Sequence, residues 1–187
     1  MDSEVEWPDL FAQIGLDRAE LEQRCRYLEW DAADAERLRA CAESMEQAHV
    51  AFIDRLYAHL WRFETPARIL RDEDTVERLK RKQRAHYRRL WAGPYDADYL
   101  RERLRVGMIH DQAGVDLKWY LGGYRLYLDS VLQRSFGTVG EAATYRSLLK
   151  AVFLDMALTI DTYGAAQRRA LQASEARYAR ALRGAND

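Results

Sequence analysis

The stretch RVGMIHDQAGVDLKWY, Arg105 to Tyr120, decides how the rest of the chain is read. Its apolar residues keep helical spacing up to Ala113. Gly114 stands where a left-handed C-cap belongs, and Asp116 can open the next helix. Residues three and four apart share a helix face, so His110 stands among Val106, Gly107, Ala113 and Gly114. No bulky or charged neighbour crowds its imidazole, and a flat, wide, apolar ligand can lie against such a face. Gly107 costs a helix interior roughly 1 kcal/mol relative to alanine, which implies a packing reason. Taken alone, the residue also fits a satisfied core histidine. Phosphotransfer is a third reading, since phosphoacceptor helices often carry His-Asp. A phosphoacceptor needs an exposed face on a long hairpin, whereas this helix stops at Gly114.

Around that stretch the chain has the composition of one all-α domain. It holds 187 residues, 48% hydrophobic and 32% charged, with three prolines and ten glycines. A formal net charge of −1 offers no general attraction to nucleic acid or anionic lipid. The basic run Arg78 to Arg89 lacks the aromatics and the wider basic surface of a nucleic-acid site. The longest apolar run, AVFLDMALTI, is short and broken by Asp155, which argues against a membrane span. No signal peptide precedes Trp7, and Cys25 and Cys41 form no C-x-x-C pair, so they are expected as reduced cytoplasmic thiols.

Helix punctuation is legible. Asp31, Thr65 before Pro66, Asp74, Asp96 and Asp116 are the expected N-caps. They divide the chain into a short helical segment ending near Leu28, one long or two abutting helices over Ala32 to Phe63, and a turn of helix after Thr65. Helices then follow over Val76 to Trp91, Ala97 to Ala113, Leu117 to about Ser135, and Glu141 to about Leu182. The last has apolar residues on two sides. It is expected to pack both on its own domain and on the same helix of a second subunit, giving a four-helix homodimer seam of residues 117–136 and 141–165. Burial within a monomer core is the alternative.

Four histidines compete for a chemical role. His59 has the mixed neighbours Arg55, Leu56, Arg62 and Phe63, and His86 borders a polar region or a pocket rim. His49 lies among Met45, Phe52 and Ile53 as a core residue would. Glu46-x-x-His49 has the spacing of one half of a di-iron site, but there is no second copy. His110 alone offers a smooth face. Haem suits it, since the macrocycle must lie close to the helix that supplies the proximal imidazole.

The residues then carry a family. Val106-Gly107-x-x-His110-x-x-x-Gly114 followed by Lys118-Trp119-Tyr120 resembles the proximal segment of the globin-coupled sensors, with Val115 where leucine is usual. Ile53-Asp54-x-x-Tyr57-x-x-Leu60 resembles a second family motif, with Leu56 in place of phenylalanine. Gln83-x-x-His86-x-x-x-Leu90-Trp91-x-Gly93-x-Tyr95-Asp96 resembles a third. The resemblance covers about Leu38 to Leu158. It implies a globin fold, a sensor-globin variant with an extra N-terminal helix and reduced distal helices, whose haem pocket lies between the Val76 and Ala97 helices. It implies His110 as the axial haem ligand and metal-binding residue, and Tyr57 as the distal donor to the gas. Leu79 and Lys82 fall on the distal wall, Tyr120 near the proximal side, and His86 at a non-ligand position. Tyr57 and Tyr120 each also fit as packing aromatics. Lys82 departs from the small polar residue usual there, and its ammonium is expected to turn outward to a haem propionate or solvent. Because C-x-x-C-H is absent, the cofactor is expected to be haem b.

The ending ALQASEARYARALRGAND looks like the entry into a PAS domain. The expected organisation is a helical extension over 1–30, a sensor globin domain over 31–165 and a helical linker over 166–187. The linker would lead to an output module, a diguanylate cyclase or histidine kinase. The function implied is a cytoplasmic oxygen sensor, with carbon monoxide and nitric oxide as further gases, that is not itself an enzyme. Two alternatives stay open at this point. One is a standalone globin enzyme performing nitric oxide dioxygenation or peroxidase chemistry. The other is a haem-free helical interaction module.

Overall fold

Asp17 opens the first helix by accepting a hydrogen bond from the Glu20 amide, and α1 runs Arg18–Tyr27. The structure, a computed structural model, describes Gly15, residues 17–133 and residues 139–184. At the next boundary Asp31 and Asp34 exchange side-chain and backbone hydrogen bonds in a capping box. From there α2 runs unbroken over Ala32–Leu60, so the long segment is one helix.

Two expected caps move by a residue or two. The helix α3, Glu64–Leu70, starts before Thr65 with Phe63 at its N-cap, which puts Pro66 in the first turn where a missing N–H is tolerated. The helix α4, Glu73–Ala92, is capped by Asp72, whose carboxylate accepts from the Thr75 amide at 2.7 Å, and Asp74 falls in the first turn. Asp96 caps α5, Ala97–Gln112, and Gly114 ends it with a φ of 72°, the left-handed region that favours glycine. Asp116 precedes α6, Leu117–Leu132, without a side-chain cap bond. The helix α7, Val139–Gly184, spans 46 residues. Ser135, Gly137 and the terminal Ala185, Asn186 and Asp187 lie outside the described residues.

Packing follows two cores. In the first, Phe52 and Ile53 of α2, Leu90 of α4, Tyr127 of α6 and Leu148 and Val152 of α7 interlock. In the second, Tyr99 and Leu104 of α5 meet Leu158 and Ala165 of α7, and Leu21 and Cys25 of α1 cover them. Asp34 joins the start of α2 to α7, accepting from Ser147 Oγ at 2.6 Å and Lys150 Nζ at 2.8 Å. Thus α4 lies along α2 and α5 along α7, while α4 and α5 make no extensive backbone contact. That gap becomes the functional site. Beyond it, α7 continues with its side chains exposed from Gln167 to Tyr178. Among the described residues no helix is long and apolar enough to cross a membrane.

Candidate functional site

Between α4 and α5 lies a cavity of about 310 Å³, closed by the ends of α2 and α3 and floored by α6. That volume falls in the range of about 300–1,000 Å³ typical of small-molecule and cofactor sites. Leu56, Leu60, Ile69, Leu79, Val106 and Ile109 make its walls predominantly apolar. Tyr57, Leu79, Lys82, His110 and Tyr120 all line it, drawn from four helices.

His110 sits in the last turn of α5, and its Nδ1 is 2.7 Å from the Val106 carbonyl one turn earlier. A carbonyl only accepts, so Nδ1 carries the proton and donates it. Burial holds the imidazole below its ordinary pKa, against the pull of the Val106 carbonyl, and the ring is neutral. The Nε2 lone pair is therefore uncommitted, and among the described residues no group meets it. This is the ligand form of histidine, with the hydrogen bond on the other nitrogen that metal-ligating imidazoles ordinarily have. Among the described residues no three His, Cys, Asp or Glu side chains cluster as metal ligands. A metal at His110 has to bring the rest of its coordination sphere with it, as a metalled macrocycle does.

Tyr57, 7% exposed, contributes the second uncommitted group. Burial pushes its phenol up to about 12, so it stays protonated, and its hydroxyl has no hydrogen-bond partner among the described residues. Tyr120 is committed. Its hydroxyl shares a 2.8 Å hydrogen bond with Thr159 Oγ1 on α7, and its ring meets the His110 imidazole edge-on at 5.3 Å. Lys82 is exposed, which leaves its ammonium in solvent at the cavity mouth. The bare face around His110 divides in two. Val106 and Ala113 line the cavity. Gly107 instead backs onto α7, where an added Cβ would come within 3.0 Å of Thr162 Oγ1 and 3.2 Å of Thr159 Cα. Its packing reason is helix contact and not a ligand.

Comparison with known proteins agrees with this architecture. The model of the Protoglobin family matches residues 17–169. The chain belongs to the Protoglobin family. Over 165 residues it is 31% identical to the heme-based aerotactic transducer HemAT of Halobacterium salinarum, covering 81% of this chain and 34% of that protein. It therefore spans about a third of that relative's length. The globin domain of a Geobacter sulfurreducens globin-coupled sensor superposes with a TM-score of 0.69 at 16% identity, covering 76% of this chain and 96% of that one. The fold is thus a globin fold, as the three sequence motifs imply.

This protoglobin domain also contains a buried polar ring. His86 is 8% exposed, so it lies deeper than a rim, yet it lines the cavity and borders a polar region, as its sequence neighbours suggest; the partners that make up that region were not legible in the sequence. Arg103 Nη1, which only donates, lies 2.6 Å from His86 Nδ1 and 3.1 Å from Nε2, and Nε2 is 3.0 Å from the Tyr124 hydroxyl. Tyr124 donates onward to Asp155 Oδ2, and Arg103 reaches the same oxygen at 3.4 Å, closing the circuit. Four helices, α4 to α7, meet there. Burial opposes the charge on Arg103, but Asp155 together with Tyr99, Tyr124 and Glu102 outweighs it and raises the guanidinium pKa. Two signals were available, the polar neighbours of His86 and Asp155 itself, a charge inside an apolar run.

Proposed function

We propose that this domain is a haem-based oxygen sensor. The observation that carries the reading is the neutral His110 imidazole, with Nδ1–H held by Val106 and a free Nε2 lone pair in an apolar cavity. A haem b held there supplies reversible binding of a diatomic gas at its iron. His110 Nε2 would hold the haem iron, and the Val106 carbonyl fixes the ring orientation and strengthens its basicity. The Tyr57 hydroxyl would donate to a gas held at that iron, and burial keeps it a donor at neutral pH. Leu79 excludes water from the distal wall. The Lys82 ammonium at the mouth offers a partner to a propionate.

The proximal wall is tied to α7 twice, by Tyr120 to Thr159 and by Tyr163, whose hydroxyl donates to the Val115 carbonyl at 2.6 Å. We assign α7 as the route by which gas binding leaves the cavity. In this reading the domain is a cytoplasmic homodimer through residues 117–136 and 141–165. Residues 166–187 link it to a C-terminal output module, entered through a PAS domain, and any enzymatic activity resides there. Similarity to an aerotactic transducer supports a signalling role.

Oxygen dissociation from the haem-loaded, reduced protein tests the assignment. A hydrogen bond to so polar an acceptor contributes about 1.5–3 kcal/mol, so Tyr57→Phe should release oxygen roughly ten- to a hundredfold faster. Equal rates in the two proteins would contradict it.

A further inference from the structure

Behind the cavity wall a second aromatic cluster is built around one phenol. The ring of Tyr87, which lines the cavity, stacks on Tyr127 with centroids 4.1 Å apart and planes 12° from parallel. Tyr127 is fully buried. Its oxygen accepts the indole N–H of Trp91 and lies 3.1 Å from His49 Nε2. An indole only donates, so the phenol's own proton points to His49. Burial, against a smaller opposing pull from Glu46, brings the His49 pKa down to about 4. The ring is neutral, with its lone pair on Nε2 and its proton on Nδ1, which has no partner. Glu46, one turn earlier on α2, favours a positive charge on His49 and is itself paired with Arg88 at 2.7 Å. The rings of Tyr87 and Trp91 flank the imidazole at 5.6 and 5.9 Å.

A buried phenol resists oxidation, because loss of an electron alone strands a positive charge in an apolar interior. A base that takes the phenolic proton lessens that penalty, because the positive charge passes from the phenol to an imidazole that the Glu46 carboxylate favours. Here the base is in place, and a second aromatic ring connects the phenol to the cavity.

We propose that Tyr127 is a redox-active tyrosine that discharges one-electron oxidants formed in the cavity. An electron leaves Tyr127 through the stacked Tyr87 ring to the oxidant, the phenolic O–H bond breaks, and the proton moves to His49 Nε2. The oxidant is reduced by one electron, and the products are a neutral tyrosyl radical and the His49 imidazolium. One electron from a small reductant such as ascorbate, with the proton returning from His49, restores the pair. The oxidant belongs to the class that peroxide-treated haem represents, but the arrangement acts on any strong one-electron oxidant at that place. The proposal therefore goes beyond gas sensing and does not depend on it.

A photo-oxidant fixed at the cavity mouth tests this without a cofactor. Arg78 is exposed and lines the cavity, so a ruthenium polypyridyl complex can be attached to Arg78→Cys in a Cys25→Ser, Cys41→Ser background. After flash oxidation, electron paramagnetic resonance should detect a tyrosyl radical that forms more slowly in D2O. Tyr127→Phe, which keeps the stacked ring and loses only the hydroxyl, should lower its yield several-fold. His49→Gln keeps a polar side chain but cannot take the proton, and should abolish the D2O effect. An undiminished radical in Tyr127→Phe, no tyrosyl radical in the parent, or a D2O effect that survives in His49→Gln would overturn the proposal.

Discussion

Gly107 reads from the sequence as a helix-interior glycine with a packing reason and Gly114 as a left-handed C-cap, and the structure gives each its physical ground. A Cβ at Gly107 meets Thr162 and the α7 backbone, so Gly107→Ala overpacks a helix contact and should cost about 1–3 kcal/mol, beyond any gain in helix propensity. A Cβ at Gly114 meets nothing within 4 Å, but φ is 72°, and Gly114→Ala should lose about 1 kcal/mol through backbone strain alone. Urea unfolding measures both. Thr162→Ser, which removes only a methyl, should not rescue the Gly107 variant, because the Thr159 backbone still stands 3.2 Å from the added Cβ. At this scale the sequence was informative where chemistry is local: the spacing that set His110 apart is the spacing of its α5 face. It was silent on which neighbour faces cavity and which faces helix, because three- and four-residue spacing defines a face without naming what covers it.

Helix boundaries were readable for the same local reason, and the misplaced ones show its limit. Asp72 and Asp74 are both good caps two residues apart, and only the approach of the Thr75 amide to Asp72 decides between them. Asp155 is the opposite case. On α7 it reads as an interruption of an apolar side, and its partners Arg103, Tyr124 and His86 come from three other helices with no sequence relation to it. Removing one partner of a buried pair strands the other, so Asp155→Ala should destabilise by about 3–5 kcal/mol, while the double change Asp155→Leu, Arg103→Met should cost less. Denaturant midpoints of the single and double variants separate the two cases. A single variant no less stable than the double would mean that Arg103 is not held by Asp155.

For the molecule as a whole, several buried groups make stability fall with acid. Burial lowers the pKa of His49, to about 4, and those of His86 and His110. Each folded-state pKa lies below the unfolded value of 6.5, so the unfolded chain binds more protons as pH falls. Their contribution is complete above pH about 6.5 and is lost in acid, for His49 as pH falls toward 4. Asp34 adds a second phase. Burial would raise its pKa, but Lys150, Ser147, Asp31 and Arg37 outweigh that and hold it well below the usual carboxylate range. Its stabilisation is present above the ordinary carboxylate pKa and is lost in stronger acid, so Asp34→Asn should flatten the acid limb alone. The free energy of unfolding followed against pH separates the phases.

Assembly belongs to the same scale. Phe153 and Ile160, 52% and 44% exposed and seven residues apart on α7, are large apolar side chains that a dimer seam over residues 141–165 would cover. Ile160→Glu should give monomers in sedimentation experiments and leave the cavity intact. A dimer that persists would move the seam elsewhere.

The central claim is that His110 Nε2 would hold the iron of a haem. Haemin titration followed by absorption, on the parent protein, on His110→Gly, and on His110→Gly with imidazole, tests it most directly. The parent should give a saturable Soret shift, the variant a weakened and altered one, and free imidazole in the vacated space should restore the parent spectrum. No shift in the parent, or one unaffected by His110→Gly, would contradict the account.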